Sequence, residues 1–331
     1  MTRVAVIGVG SMGKNHARVY SEMPEAELVA VSDNSPETAE EIGAHFGVTA
    51  YQDYRQMLKK EKPEAVTISV PTTLHHEVGM AAMEAGAHVL IEKPIAATVE
   101  EGKALIQAAD KLGRHMMIGH IVRFNAAHQE LKKRLDNGEL GRVFQIFCRR
   151  AGPFPARTRD VGVIVDLAPH DIDIMRYLIG ESPERLYAEI EQRIHTEHED
   201  LLFALLHFPG HITGALEINW LTPTKVREIF VVGEKGMFRV DDLTQDLYFY
   251  ENAKGMEDLW QGLSTIKGVS EGVMTRFAIQ RREPLRVELE AFIQAVKGEA
   301  PVPVTGVDGL EALRLSLKLI ESGQKHKVLQ T

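Results

Sequence analysis

Two short segments carry the side chains best suited to acid–base chemistry. Glu92-Lys93-Pro94 follows an apolar stretch, and Asp166 lies four residues before His170. A histidine can accept the proton of a hydroxyl group because its pKa is near neutrality. A carboxylate one helical turn away orients the ring and stabilises its charged form. Asp166 is also typical of a helix N-cap, and Lys93 of a surface lysine before a helix, so structural roles stay open beside the catalytic ones.

A glycine pattern in residues 8–13 predicts a bound molecule that would take part in that chemistry. Gly8-Val-Gly10-Ser-Met-Gly13 has the spacing G-x-G-x-x-G between an apolar strand and an amphipathic helix. The first glycine permits a tight turn, the second lets the backbone approach a pyrophosphate, and the third packs the helix against the strand. Backbone N–H groups at the positive end of that helix receive the phosphates. The pattern predicts dinucleotide binding by Gly8, Gly10, Ser11, Met12 and Gly13.

Asp33 indicates which dinucleotide binds. It follows the second apolar strand, 20 residues after Gly13. A carboxylate here accepts hydrogen bonds from a ribose 2′-hydroxyl and repels a 2′-phosphate, and no arginine follows, since the next residues are Asn34 and Ser35. We therefore expect NAD rather than NADP, with Asp33 and Asn34 in the cofactor site. The alternative is that Asp33 is only a turn residue at the end of a strand.

Residues 1–122 have the pattern of a parallel sheet covered on both faces. Near-continuous apolar runs at 4–7, 28–32, 65–70, 88–92 and 116–119 alternate with helical segments. One helix has Ser35-Pro36 at its start and Gly47 after its end, and another opens with Thr98 and Glu101 as a capping box. This predicts an α/β fold, a doubly wound Rossmann domain with right-handed crossovers. Lys93 then lies at the ligand-binding edge, where parallel strands end.

Residues 123–331 predict a second, α+β domain that binds substrate and forms oligomers. Short turns join most of its strands, which favours a large, open, mostly antiparallel sheet. Strands are predicted at 143–150, 186–195, 201–208, 212–219, 228–232, 237–240 and 247–250, and helices at 126–135, 166–178, 285–296 and 306–322. Pro169 is expected in the first turn of the helix that begins near Asp166. Residues 254–279 are interpreted as helix and loop, and the C-terminal helix is expected to pack back on the first domain.

Composition excludes several classes of protein. The chain of 331 residues has a net charge of −9 without runs of like charge, which argues against a nucleic-acid binder. No apolar run approaches the roughly 20 residues of a membrane span, and a strand begins at residue 4, so we expect a cytoplasmic protein. Cys148 is the single cysteine, and the pairs His75-His76 and His195 with His198 lack further ligands at metal-binding spacing, so no metal is expected.

Together these segments resemble the glucose–fructose oxidoreductase, inositol dehydrogenase and rhizopine-catabolism oxidoreductase family (Gfo/Idh/MocA). The resemblance extends over essentially the whole chain. Besides the glycine pattern it rests on Pro71-Thr72-x-x-His75, Glu92-Lys93-Pro94, Asp166 with His170, and Glu283-Pro-Leu285. It implies that Lys93, Asp166 and His170 act on a sugar or cyclitol hydroxyl. It also implies an open sheet that packs against another subunit, as a homodimer or homotetramer, and a cofactor groove lined by Pro71, Thr72, His75, Glu92, Lys93 and Asn125.

Residues 119–125 and 219–227 look most like family members that oxidise the 3-hydroxyl of a UDP-linked N-acetylhexosamine or its uronate. A diphosphate needs cationic partners, preferably arginine. The predicted substrate-binding residues are Lys93, Arg123, Asn125, Arg157, Arg159, Asp166, His170, Lys225 and Arg227. Three alternatives stay open: an inositol or free-sugar dehydrogenase, a reductase of an imine or diene-type carbonyl, and a non-catalytic NAD-sensing regulator. Intact Lys93 and His170 weaken the regulator alternative.

Overall fold

The computed structural model describes residues 1–155, 161–194, 197–253 and 271–331. These residues divide into two compact units. The first contains residues 1–124 and 283–314, and the second contains residues 125–282 and 315–331. The chain therefore leaves the first unit after Phe124 and returns to it at Glu283.

The first unit is built on a parallel sheet of six strands in the order β3-β2-β1-β4-β5-β6. Its elements are β1 Thr2–Ile7, α1 Gly13–Ser21, β2 Ala26–Ser32, α2 Pro36–Phe46, β3 Thr49–Tyr51, α3 Tyr54–Glu61, β4 Ala65–Ile68, α4 His75–Glu84, β5 His88–Glu92, α5 Val99–Leu112 and β6 Met116–Gly119. The strands at the centre of the sheet are buried at nearly every position, with Arg3 as the exception in β1, because helices cover both faces. This confirms the doubly wound fold expected from the apolar runs.

The helix ends in this unit follow the local chemistry of the sequence. Ser35 caps α2 by accepting a hydrogen bond from the Thr38 N–H, and Gly47 ends the helix in a left-handed conformation with φ 68°. Thr98 and Glu101 form the predicted capping box at the start of α5. Each of these contacts satisfies backbone groups that the helix itself leaves without partners.

The second unit has a sheet of nine strands in the order β14-β13-β12-β11-β7-β10-β9-β8-β15. The elements that follow Phe124 along the chain are α6 Ala126–Asp136, β7 Val143–Pro153, α7 Val163–Ile179, β8 Arg185–Glu191, β9 Leu201–Phe208, β10 Ile212–Asn219, β11 Leu221–Gly233, β12 Gly236–Asp241, β13 Asp246–Asn252, β14 Glu271–Arg276, α8 Pro284–Val296, α9 Gly306–Lys325 and β15 Leu329–Gln330. Of these, α8 and the part of α9 up to Arg314 belong to the first unit. All described pairs of this sheet are antiparallel except β7 with β10, which confirms the mostly antiparallel prediction.

Four local predictions in the second unit were wrong. The strand predicted from Glu228 begins at Leu221, because pairing with β7 extends it across Pro223 with an irregular register. The strand predicted to reach His195 ends at Glu191. Residues 271–276 form a strand, β14, because an antiparallel ladder with β13 overrides their weak local pattern; residues 254–270 lie outside the described residues.

The fourth correction concerns α7. The helix begins at Val163 after Gly162 as its N-cap, so Asp166 lies in the first turn but is not the cap. Pro169 therefore lies inside the helix instead of in its first turn. A proline there has no N–H to donate to the carbonyl one turn earlier. The early start follows from burial, because Val163 and Ile164 are fully buried and extend the apolar face of the helix.

Candidate active site

The first and third glycines of the 8–13 loop are required by packing within the first unit. Gly8 has φ 82°, and a Cβ there would lie 2.5 Å from the Ser69 carbonyl oxygen. A Cβ on Gly13 would lie 1.8 Å from the Gly8 carbonyl oxygen. Neither position accepts a side chain without moving backbone, so these two glycines shape the loop from within.

Gly10 differs from both, because the protein itself does not need a glycine there. Gly10 is exposed, and a Cβ on it would meet nothing within 4 Å. The helix α1 begins immediately after this loop, and no side chain caps its N-terminus at Met12. An open backbone surface at the positive end of a helix suits a pyrophosphate, so the loop fits the phosphates of a dinucleotide.

Asp33 has the turn role that the sequence left open, and it also contacts the glycine loop. Its Oδ2 accepts a hydrogen bond from the Val9 N–H at 2.9 Å, and its Oδ1 accepts one from the Ser35 N–H at 3.0 Å. It is thus both a turn residue and a brace for the glycine loop. A carboxylate oxygen has a second lone pair, so the partly exposed Asp33 can still accept hydrogen bonds from ribose hydroxyls. Asn34, beside it, is exposed.

Lys93 follows the last residue of β5 and is partly exposed at the edge where the parallel strands end. The adjoining segments contain the remaining residues predicted to line the cofactor groove. Pro71 and Thr72 are at least partly exposed just after β4. His75 is 1% exposed, and its ring nitrogens lie 2.8 Å from the Pro94 carbonyl oxygen and 3.0 Å from that of Val70. Burial lowers the pKa of His75. These contacts support a bracing role for this histidine.

Glu92 points toward the interior of the first unit. Its Oε1 lies 2.8 Å from Nε2 of His16, a fully buried residue of α1, and its Oε2 accepts a hydrogen bond from the Lys93 N–H at 3.3 Å. Burial raises the pKa of Glu92, but His16 and Lys93 outweigh it and leave that pKa below its ordinary value. Glu92 therefore carries a negative charge beside the Lys93 backbone.

The second unit supplies the other two predicted catalytic residues. Asp166 and His170 lie one turn apart on α7 and are both partly exposed, so they share a face of the helix. Their neighbours Asp171 and Asp173 are buried, at 1% and 0% exposure. The helix thus presents one acid–base pair outward and anchors itself by acidic side chains on its inner face.

That anchor is a buried charge network, which the sequence analysis missed. Nε of Arg150 lies 2.7 Å and 2.9 Å from the two carboxylate oxygens of Asp171, and Nη2 of Arg150 lies 3.5 Å from Asp242. Asp242 also lies 2.6 Å from Nε2 of His128. Burial lowers the pKa of Arg150, but the two carboxylates outweigh it and raise that pKa overall. Only the fold brings these strands and helices together, so spacing along the sequence could not have predicted the network.

Arg227 lies beside the same network, and its role in substrate binding stays a prediction. It pairs across strands with Arg150, and burial and Arg150 lower its pKa. Asp171, Asp242 and Asp166 oppose that effect. The structure therefore brings Arg227 into electrostatic contact with Asp166, and carboxylates already balance much of its charge.

The remaining predicted substrate residues have varied surroundings. Arg123 is 8% exposed and lies 3.2 Å from Asp308, an ion pair within the first unit. Asn125 caps α6 through the Ala127 N–H and donates a hydrogen bond to the Asp242 carbonyl oxygen at 3.1 Å. These contacts give both residues structural roles, and their roles toward ligands stay predictions. Lys225 is exposed, whereas Arg157 and Arg159 lie outside the described residues.

Two kinds of feature are absent from the described residues. Within residues 1–155, 161–194, 197–253 and 271–331, no three His, Cys, Asp or Glu side chains are grouped as a metal ion would require. No helix in those ranges is long and apolar enough to cross a membrane. The pair His195 and His198 named in the sequence analysis is not described, because His195 lies outside the described residues.

Comparison with known proteins agrees with this arrangement. A family described as "Oxidoreductase family, NAD-binding Rossmann fold" matches residues 2–120, and the "GFO/IDH/MocA C-terminal domain" matches residues 128–239. The UDP-N-acetylglucosamine 3-dehydrogenase of Acidithiobacillus ferrooxidans is 29% identical over 317 residues, which cover 96% of each chain. The scyllo-inositol 2-dehydrogenase (NAD(+)) of Bacillus subtilis is 27% identical over 334 residues, covering 97% of this chain and 93% of that enzyme.

The fold shows the same similarity. A solved structure of UDP-N-acetylglucosamine 3-dehydrogenase from Acidithiobacillus ferrooxidans matches with a TM-score of 0.86 and 29% identity, over 98% of both chains. The first family match contains the glycine loop and Lys93, and the second contains the helix that carries Asp166 and His170. The chain therefore belongs to the Gfo/Idh/MocA family and is an NAD-dependent dehydrogenase that acts on CH–OH groups.

Proposed function

We propose that this dehydrogenase oxidises the 3-hydroxyl of a UDP-linked N-acetylhexosamine such as UDP-N-acetylglucosamine. The observation that carries the proposal is the similarity to the Acidithiobacillus ferrooxidans enzyme, which extends over nearly the whole of both chains in sequence and in fold. A full-length match includes the segments 119–125 and 219–227, where the sequence resembles enzymes of nucleotide sugars.

The geometry of α7 suits the proton transfer that this oxidation needs. When a secondary alcohol becomes a ketone, the carbon loses a hydride and the oxygen loses a proton. Bound NAD supplies the hydride acceptor. His170 is the base that takes the hydroxyl proton, and Asp166, one turn away, orients its ring and stabilises the charged form. Lys93 donates a hydrogen bond to the substrate oxygen and stabilises the negative charge that grows there as the proton leaves.

The substrate proposal is tested by a survey of alcohols. The protein is incubated with NAD and each of UDP-N-acetylglucosamine, its uronate, a free glucoside and myo-inositol, and NADH formation is followed by absorbance. Turnover of a UDP-sugar above the others supports the proposal. Turnover of myo-inositol or the glucoside without any UDP-sugar would refute it in favour of a free-polyol dehydrogenase, the alternative favoured by the Bacillus subtilis relative. Turnover of none, with NAD still bound, favours an NAD-sensing regulator.

A Lys93→Met variant separates binding from chemistry. Methionine keeps the length of the side chain but removes its ammonium, so NADH binding should persist while turnover falls by a factor of about 100 or more. Binding is measured by fluorescence titration and turnover with the best substrate of the survey. Full activity in this variant would show that Lys93 is not catalytic.

We also propose that the protein is a homo-oligomer whose subunits contact one another through the open face of the second unit's sheet. Leu205, Ala215, Phe147 and Phe230 form one row across β9, β10, β7 and β11, and Leu205 is 55% exposed. An apolar row on a face that the described residues leave open is typical of a protein interface. Light scattering after gel filtration should show a dimer or tetramer, and Leu205→Glu should shift it toward the monomer. A monomeric unaltered protein would contradict the proposal.

A further inference from the structure

Glu288, on the inner face of α8, is a buried acid for which the mechanism above has no use. Its side chain is 0% exposed, and neither carboxylate oxygen has a hydrogen-bond partner among the described residues. An ionised carboxylate without donors in such surroundings is strongly disfavoured. The surroundings of Glu288 therefore favour a carboxyl group that keeps its proton.

The neighbouring carboxyl, that of Glu92, has the opposite surroundings. Both of its oxygens have partners, one at His16 and the other at the Lys93 N–H. Burial and the negative charge of Glu92 raise the pKa of Glu288 well above its ordinary value of 4.5. Two buried carboxyls in electrostatic contact seldom ionise together. One negative charge therefore resides on Glu92, and one proton resides on Glu288.

The elements packed against α8 bring few other charged groups toward this pair. Helix α1 contributes His16, and Arg18, which pairs with Glu283 at the start of α8. It also contributes the phenol of Tyr20, which forms a 2.8 Å hydrogen bond with the Thr67 hydroxyl on β4. The segment 121–124 contributes Arg123, which pairs with Asp308 at 3.2 Å. At the end of β5, the charge of Lys93 lowers the pKa of Glu92, as His16 also does. The carboxyl pair is thus linked through Glu92 to charge at the Lys93 end of the sheet.

That end is where a parallel sheet of this type presents its ligand. The nicotinamide ring is a cation in NAD⁺ and neutral in NADH. A nearby cation favours ionisation of a buried acid, whereas a neutral ring leaves it unchanged. We propose that Glu288 makes cofactor binding depend on protons: Glu288 releases its proton to solvent when NAD⁺ binds and keeps it when NADH binds. The proposal rests on NAD as the cofactor and not on the identity of the sugar.

The test needs no substrate. NAD⁺ and NADH are titrated calorimetrically into the whole protein in phosphate and in Tris, whose ionisation heats differ, across about pH 6 to 9. We expect NAD⁺ affinity to rise with pH by up to about tenfold per pH unit, with proton release, and NADH affinity to stay nearly constant. Glu288→Gln, which keeps the shape of the protonated acid, should remove the slope for NAD⁺. The matched control is Glu290→Gln on the same helix, where Glu290 pairs with Arg286 at 3.2 Å and is 25% exposed.

Three results would overturn the proposal: an NAD⁺ slope that survives in Glu288→Gln, a flat NAD⁺ profile in the unaltered protein, or equal slopes for NAD⁺ and NADH. If Glu288→Gln does not fold, infrared difference spectroscopy of the unaltered protein decides the question. Addition of NAD⁺ should then remove the carbonyl stretch of a protonated carboxyl, and addition of NADH should not. Persistence of that band with NAD⁺ would show that the carboxyl keeps its proton.

Discussion

Gly10 offers a direct test of how the glycine loop binds the cofactor, because folding and binding place different demands on it. A Cβ at Gly10 would meet nothing within 4 Å, and its φ lies outside the left-handed region. An alanine at this position therefore neither clashes with a neighbouring atom nor strains the backbone of the folded protein. Replacing glycine restricts the unfolded chain, so Gly10→Ala should leave the free energy of unfolding unchanged or raise it by up to about 1 kcal/mol.

Binding should respond in the opposite direction. The methyl group would occupy the space through which a pyrophosphate approaches the backbone N–H groups at the start of α1. A lost hydrogen bond to a charged group costs about 1.5–3 kcal/mol. At about 1.4 kcal/mol per factor of ten, NADH affinity should fall by about 10- to 150-fold. Urea unfolding measures the stability, and fluorescence titration with NADH measures the affinity.

Gly86→Ala is the matched control, since it should reverse both results. Gly86 has φ 97°, and a Cβ there would also meet nothing within 4 Å. An L-residue in this conformation costs about 1–2 kcal/mol, so this variant should be less stable and bind NADH as the unaltered protein does. Unchanged NADH affinity in Gly10→Ala would refute the assignment of this loop to the pyrophosphate. So would an equal loss of affinity in both variants.

Three further predictions concern charged groups in the two units. Asp33→Asn removes the charge that repels a 2′-phosphate, so the preference for NADH over NADPH in binding titrations should fall by about tenfold or more; an unchanged ratio would contradict the role of Asp33. Arg150→Met leaves Asp171 buried without its partner and should lower the free energy of unfolding by about 3–5 kcal/mol in urea, and a loss below about 1 kcal/mol would count against a stabilising pair. Above pH 4.5, the native state of the unaltered protein keeps a proton on Glu288 that its unfolded state has lost, so its stability falls as pH rises. Glu288→Gln carries no such proton and should therefore become more stable than the unaltered protein as pH rises, by up to about 1.4 kcal/mol per pH unit. A stability difference that does not change with pH would exclude the raised pKa of Glu288.

The first unit could be predicted closely because its signals are local. Apolar strands buried on both faces, a capping box at Thr98 and Glu101, and a left-handed Gly47 each depend on a few neighbouring residues. The second unit was harder to predict because pairing with distant strands overrides weak local patterns. Residues 221–227 contain Pro223 and still extend β11, and residues 271–276 are a strand only through their ladder with β13.

The residues of the candidate active site show the same difference between local and long-range contacts. Gly13 and Asp33 could be identified from spacing because they contact the nearby residues Gly8 and Val9, and Gly8 could be identified because it holds a fixed place in the same glycine pattern. The contact of Glu92 with His16 spans 76 positions, and that of Arg150 with Asp171 depends on a helix packed against β7. Such partners have no fixed spacing, so a sequence shows them only as ordinary charged residues.

The charge balance near α7 limits where a nucleotide sugar could place its diphosphate. In the part of the chain that the structure describes, the guanidinium groups of Arg150 and Arg227 influence each other and the carboxylates of Asp166, Asp171 and Asp242. Even with the positive charge of His128 beside Asp242, the cations do not outnumber the three carboxylates and leave no excess to attract a diphosphate. A neutral ring with several hydroxyls can bond to both kinds of group. The face of α7 thus suits a sugar ring whether or not it carries a nucleotide. A preference for UDP-sugars over inositols must therefore come from cations outside this network, and Lys225, exposed on β11 just before Arg227, is one candidate.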